Sequence, residues 1–186
     1  LRFRLEEILI ALATIHPYET AGAPRLALAR LLADLERCER GDDPLANRTG
    51  YFRRAYRSEL DGTLQPYAVR VPEGLATEEG REVPLIVYLH GSASDETNLA
   101  SVDFLDPGGC LVMAPRGRGP SNGWTADDAQ TDLAEAIADV VANYPVDEDR
   151  IVLCGFSMGG YGVYRSHVET PDRLRALVVL FGLPDW

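Results

Sequence analysis

The amino-acid sequence predicts an α/β fold with a mostly parallel sheet and helices on both faces. The first observation is a series of short, continuous apolar runs, which are typical of strands buried on both faces. These runs are Leu85 to Leu89, Cys110 to Met113, Ile151 to Cys154 and Ala176 to Phe181. The second is that helical spacing of apolar residues, as in residues 126–143, alternates with these runs. Strands that alternate with helices are the pattern of a parallel sheet packed between helices.

A short helical region precedes this fold. Apolar residues recur at helical spacing from Leu5 to Ile15, and a second helix is predicted from Ala23 to Arg40. Gly41 to Pro44 has the composition of a linker. We therefore expect a helical region and linker over residues 1–44 and an α/β domain over residues 45–186.

A hairpin is predicted where the α/β domain begins. Tyr56 to Glu59 and Tyr67 to Val71 are β-type runs, and Asp61-Gly62 between them is a hairpin turn signal. We therefore expect the first two strands of the sheet to be antiparallel.

The composition and the net charge of the chain exclude some classes of function. The net charge of −11 disfavours nucleic acid and anionic membranes, because both require a basic surface. The apolar stretch from Ile8 to Ile15 is too short to span a bilayer.

Three cysteines (Cys38, Cys110 and Cys154) cannot pair completely, which favours a reducing compartment such as the cytoplasm. The chain starts with leucine, so we expect that its true N-terminus is missing and that a targeting segment cannot be assessed. The sequence does not indicate an oligomeric state.

The pattern glycine–any–serine–any–glycine occurs at residues 155–159, with Ser157 at its centre. It lies between a buried strand and the start of a helix, which is the context of a nucleophile elbow. A serine on so sharp a turn brings the residues two positions away close to backbone, where a side chain would clash. The pattern therefore predicts that Ser157 is a catalytic nucleophile; the alternative is a glycine-rich turn with an ordinary serine.

His90-Gly91-Ser92 directly follows the strand Leu85 to Leu89. A serine nucleophile of this kind needs two backbone amides to stabilise the developing oxyanion. We expect one from Met158, the residue after the nucleophile, and one from Ser92. His90 could be a general base, but its place in the loop favours a supporting role in shaping the turn.

Four segments together resemble the α/β-hydrolase superfamily, close to the prolyl oligopeptidase-like and related esterase families. They are Leu85–Ser94, Ala114–Gly119, Asp149–Leu153 and Gly155–Gly160. The resemblance covers residues 65–186 and matches the N-terminal half of the catalytic domain. It implies a nucleophile at Ser157, oxyanion amides at Ser92 and Met158, and an acyl-enzyme intermediate.

The rest of the catalytic triad is not evident. In this superfamily an acid and then a histidine follow the serine in the chain. The only histidine after Ser157 is His167, which lies ten residues on in the following helix. Ten helical residues span about 15 Å, too far for a general base. His16 lies in the N-terminal region, and Asp172 precedes the strand Ala176 to Phe181. Asp185 is kept as a candidate acid, and the histidine is expected beyond Trp186.

Two side chains in the segment after Met113 are candidates for a substrate pocket. Trp124 could wall the pocket, and Arg116 could bind a carboxylate or phosphate, because ligands gather at the carboxyl ends of parallel strands. Alternatively, Arg116 and Arg118 pair with nearby acids such as Asp127 or Asp128. No metal or cofactor is implied, since the aspartates there are spread along a helix face.

The sequence therefore predicts a serine hydrolase that cleaves a small ester or a peptide, either a carboxylesterase or a prolyl oligopeptidase-like peptidase. We expect the 186 residues alone to be inactive, because the triad histidine is missing from them and, unless Asp185 serves, so is the acid. The alternative is a non-catalytic, hydrolase-like binding scaffold.

Overall fold

The computed structural model describes residues 4–6, 22–75, 81–102, 105 and 108–184. The chain forms two compact units, Leu1–Arg48 and Thr49–Trp186. In the first unit, helix α1 spans Gly22–Glu39, close to the predicted helix from Ala23 to Arg40. Most of the predicted helix from Leu5 to Ile15, with His16, lies outside the described residues. None of the described helices is long and apolar enough to cross a membrane.

The second unit is built on a six-stranded sheet with the order β1-β2-β4-β3-β5-β6. Its strands are β1 (Gly50–Arg57), β2 (Leu64–Val71), β3 (Val83–Leu89), β4 (Leu111–Pro115), β5 (Val146–Phe156) and β6 (Ala176–Leu180). Strand β2 is antiparallel to both β1 and β4. The pairings of β3 with β4, β3 with β5 and β5 with β6 are parallel. The sheet is therefore mostly parallel, as predicted, with the predicted hairpin at one edge.

Helical segments cover both faces of the sheet. Helices α2 (Asp127–Asn143) and α3 (Met158–Glu169) lie on one face, where both line a cavity together with the Ile151 and Leu153 side chains of β5. Successive side chains of a strand point to opposite faces. On the other face, the 3-10 helix Glu96–Ser101 therefore packs in an apolar cluster with alternate residues of β3, β4 and β5. This arrangement confirms the predicted fold class.

Two of the cysteines belong to that cluster. Cys110 and Cys154 are buried, whereas Cys38 in α1 is exposed. Burial raises the pKa of the Cys154 thiol to about 11. The thiolate is the reactive form, so Cys154 is protonated and inert at neutral pH.

We expect iodoacetamide at pH 7.5 to alkylate Cys38 quickly and to leave Cys154 unmodified until the protein is denatured. Peptide mass spectrometry of the native and the urea-treated protein measures both rates. Equal rates for Cys38 and Cys154 in the native protein would show that Cys154 is not buried in solution.

Candidate active site

Ser157 lies between the end of β5 and the start of α3, at the carboxyl edge of the parallel strands. Its φ of 52° and ψ of −112° place a non-glycine residue in a strained backbone conformation. The Ser157 amide donates to the carbonyl of Leu180, at the end of β6, over 2.7 Å. Its side chain makes no capping hydrogen bond to α3. The Ser157 hydroxyl thus lies on a sharp turn and does not cap the N-terminus of α3.

The glycines around Ser157 allow the turn to pack against its neighbours. A Cβ atom on Gly155 would lie 2.2 Å from the carbonyl oxygen of Gly159. On Gly159 it would lie 2.0 Å from the carbonyl oxygen of Leu89, at the end of β3. Both distances are far shorter than a van der Waals contact. The first turn of α3 therefore rests directly on the backbone of the loop that follows β3.

That loop carries Gly91 and Ser92. A Cβ atom on Gly91 would lie 3.1 Å from the Phe156 ring, so the loop contacts the residue before Ser157. The Ser92 hydroxyl lies 2.9 Å from that of Ser121, which fixes the loop to the segment after β4. Within the described turns, loops and caps, neither the Ser92 amide nor the Met158 amide donates to a backbone carbonyl.

His90 is fully buried beneath this loop. Its Nδ1 lies 2.9 Å from the Gly91 carbonyl oxygen, and its Nε2 lies 3.0 Å from the Arg116 carbonyl oxygen. Both ring nitrogens are occupied by the backbone, in agreement with the supporting role expected for His90. The Arg116 side chain is exposed, and its binding of a substrate anion stays a prediction.

Trp124 is also fully buried. Its indole Nε1 donates to the His90 carbonyl over 3.0 Å, and its ring packs against Gly117 and Gly162. A fully buried ring offers no surface to a substrate, so the expectation that Trp124 forms a wall of the substrate pocket is wrong. Trp124 instead stabilises the loop after β3 through its hydrogen bond to the His90 carbonyl.

None of the described histidines is placed as a base for Ser157. His167 is exposed in the last turn of α3, which begins directly after Ser157. Ten helical residues separate the two by about 15 Å. Asp172 is exposed and lies before β6, whereas Asp185 lies outside the described residues.

A buried polar network supports the segment after β4. The Asp132 carboxylate of α2 accepts from the Gly117 amide over 2.8 Å and from the Tyr56 hydroxyl over 2.5 Å. The Arg118 guanidinium lies 2.6 Å from Asp61 and 3.5 Å from Asp132, rather than on Asp127 or Asp128. Burial raises the pKa of Asp132, and the hydrogen bonds from Tyr56 and Gly117 oppose this rise.

Asp132 was not predicted as a buried carboxylate, although its position in the sequence carries a signal. Asp132 shares the buried face of α2 with Ala129, Leu133, Ala136 and Val140, at helical spacing. A carboxylate on an apolar helix face needs hydrogen-bond donors, because burial without them is costly.

We expect Asp132→Asn to lower the free energy of unfolding by about 1–3 kcal/mol, because the new amide nitrogen cannot accept a hydrogen bond. Urea denaturation measures the change. Asp128→Asn on the exposed face of α2 is the matched control and should stay within about 0.5 kcal/mol. Equal stability of both variants would contradict the buried network.

No group of three or more His, Cys, Asp or Glu side chains in the described part of the chain is arranged to hold a metal ion.

No family model matches the chain. A curated relative, the bifunctional acetylxylan esterase/xylanase XynS20E of Neocallimastix patriciarum, is 27% identical over 133 residues. The match covers 68% of this chain and 19% of the relative.

Solved structures of hydrolases are also similar. A thermostable esterase is 25% identical with a TM-score of 0.58, over 68% of this chain and 40% of that one. The fluorophosphonate-binding serine hydrolase F of Staphylococcus aureus, with substrate bound, is 22% identical with a TM-score of 0.62, over 72% of this chain and 57% of that one. This chain thus spans between 19% and 57% of the length of these relatives. It has the α/β-hydrolase fold, which confirms the resemblance.

Proposed function

We propose that this protein is a serine hydrolase that cleaves carboxylic esters through an acyl-enzyme on Ser157. The observation that carries the proposal is the strained φ of Ser157 at the start of α3, next to the loop after β3, whose Gly91 lies against Phe156. Strain of this kind persists where the surrounding structure enforces it, and it is concentrated at functional sites.

In this proposal the Ser157 hydroxyl attacks the carbonyl carbon of the ester. The oxyanion that forms accepts hydrogen bonds from the amides of Ser92 and Met158. The partial positive charge at the N-terminus of α3 adds to this stabilisation. The general base takes the proton of the Ser157 hydroxyl and passes it to the alcohol, which leaves; water then hydrolyses the acyl-enzyme to release the acid and free Ser157.

The general base is proposed to come from outside the described residues. His90 is occupied by two backbone carbonyls, and His167 is exposed at the far end of α3. A base must come within hydrogen-bond reach of the serine. The described residues thus supply the nucleophile and the oxyanion donors, and a further segment supplies the histidine and the acid.

Esters are favoured over peptides as substrates because the curated relative is named as an esterase. Neighbours named as ferulic acid esterase and as a putative dipeptidyl aminopeptidase IV are 17% and 16% identical, so they bear on the fold alone. A non-catalytic scaffold is the second candidate, because no described histidine reaches Ser157.

The test uses the longest natural chain that contains these residues, here named the parent chain. It is assayed on 4-nitrophenyl acetate and on an aminoacyl 4-nitroanilide, and the 186-residue chain is assayed beside it. We expect the parent chain to cleave the ester with the higher kcat/KM, and the 186-residue chain to be much slower. Faster cleavage of the anilide would favour a peptidase. A parent chain without turnover on either substrate would favour the scaffold.

A further inference from the structure

The Ser121 side chain, in the segment after β4, contacts the loop that carries Ser92. Its hydroxyl oxygen lies 2.9 Å from the hydroxyl oxygen of Ser92. The Ser121 hydroxyl also accepts a hydrogen bond from the Ala93 amide over 3.1 Å. The same amide donates to the Pro120 carbonyl over 2.7 Å. Ser92 is thus fixed both through its own side chain and through the peptide bond that follows it.

The backbone conformation of Ala93 depends on these contacts. Its φ of 60° is in the left-handed region, which is unfavourable for a residue other than glycine. Such a conformation persists only where the surrounding structure enforces it. The contacts with Pro120 and Ser121 supply this constraint, because the Ala93 amide donates to both of them.

The residue before Ser92 is fixed from another direction. A Cβ atom on Gly91 would lie 3.1 Å from the ring of Phe156, the residue before the nucleophile. The N–H group of Ser92 belongs to the peptide bond that joins it to Gly91. The direction of this N–H group is therefore set by the Phe156 contact on one side and by Ser121 on the other.

The segment that carries Ser121 is itself attached to the core. The Asn122 side chain donates to the Gly117 carbonyl and accepts from the Trp124 amide, which closes a turn next to Ser121. The indole of Trp124 is fully buried and donates to a backbone carbonyl of the loop after β3. Ser121 therefore lies on an anchored turn, and its hydroxyl can impose a position on the loop that it contacts.

We propose that Ser121 is a positioning residue for the reaction at Ser157, because its hydroxyl orients the Ser92 amide toward the oxyanion. The inference rests on the proposed function, in which the Ser92 amide is one of the two oxyanion donors. A donor stabilises the oxyanion strongly only when it already points at the position that the oxygen occupies in the transition state. Loss of the Ser121 hydroxyl leaves this donor in the loop but directs it less well.

The experiment compares kcat/KM of the parent chain for two substrates. They are 4-nitrophenyl acetate and its thiono analogue, in which sulfur replaces the carbonyl oxygen. Sulfur is a weak hydrogen-bond acceptor, so the thionoester gains little from the oxyanion donors. The ratio of the two kcat/KM values therefore measures the contribution of these donors. A smaller fraction of folded protein lowers both values together and leaves the ratio unchanged.

Three variants are measured beside the wild type, and thermal melting reports their folding. Ser121→Ala removes the hydroxyl and Ser121→Thr keeps it. Ser101→Ala is the matched control, because Ser101 is an exposed serine at the end of the 3-10 helix Glu96–Ser101.

We expect Ser121→Ala to lower the ratio of ester to thionoester kcat/KM by about tenfold, less than the loss of an oxyanion donor outright. KM for the ester should change little, since the affected hydrogen bond strengthens in the transition state. Ser121→Thr and Ser101→Ala should keep the ratio of the wild type.

An unchanged ratio in Ser121→Ala, or an equal loss of the ratio in Ser121→Thr, would overturn the positioning role and leave the proposed function standing. The role is also overturned if Ser121→Ala lowers kcat/KM for both substrates equally, because the change then lies in the folded fraction. A wild-type parent chain that cleaves neither substrate and is not labelled by a fluorophosphonate contradicts the proposed function, and the positioning role with it.

Discussion

Replacing Ser157 with alanine is expected to lower kcat of the parent chain for ester hydrolysis by about 10⁴-fold or more, because no acyl-enzyme can form. KM should change little, since the missing hydroxyl contributes mainly to the transition state. The side chain makes no capping hydrogen bond to α3, so its removal should leave the fold intact. Steady-state kinetics and a melting curve of the same preparation measure both effects.

Ser166→Ala is the matched control. Ser166 is a buried serine later in α3, and its hydroxyl hydrogen bonds to Gln130 and Gly162. We expect this variant to lose stability but to retain kcat within a few-fold. If Ser157→Ala retains kcat as Ser166→Ala does, Ser157 is not the nucleophile.

Gly159→Ala is expected to have the second largest effect. The added methyl group would lie 2.0 Å from the Leu89 carbonyl oxygen, so the start of α3 and the loop after β3 must move apart. This loop carries Ser92, and displacement of one oxyanion donor costs about 10²–10³-fold in kcat. Overpacking of a tight contact also costs about 1–3 kcal/mol of stability.

Kinetics on 4-nitrophenyl acetate and urea denaturation separate the two effects of Gly159→Ala. Gly62→Ala in the β1–β2 turn is the control, because a Cβ atom there meets nothing within 4 Å although the φ is 71°. It should cost stability through its backbone alone and leave kcat unchanged. Wild-type kcat in Gly159→Ala would contradict the close packing of helix and loop.

The positions of the parallel strands along the chain could be predicted, because a strand that is buried on both faces of the sheet has a continuous apolar sequence. Leu85 to Leu89 and Ile151 to Cys154 have this character and pair with each other inside the sheet. The Asp61-Gly62 turn similarly predicted the antiparallel hairpin of β1 and β2. The sheet order was not predictable, because pairing between distant strands depends on tertiary packing that no local pattern records.

The site was predictable where a backbone constraint selects a residue type. Gly155 and Gly159 are required by contacts near 2 Å, and Ser157 stands between them at a positive φ. Trp124 was placed incorrectly, because a tryptophan in a glycine-rich loop can face either solvent or core. Its full burial and its hydrogen bond to the His90 carbonyl show that it faces the core.

The most direct test of the account is to locate the covalent adduct of a fluorophosphonate probe. The parent chain is treated with the probe, digested and mapped by tandem mass spectrometry, with heat-denatured protein as the control for non-specific reaction. The account predicts one adduct, on Ser157, that forms only in the folded protein and is absent from Ser157→Ala. An adduct on another residue, or labelling that survives in Ser157→Ala, would contradict it.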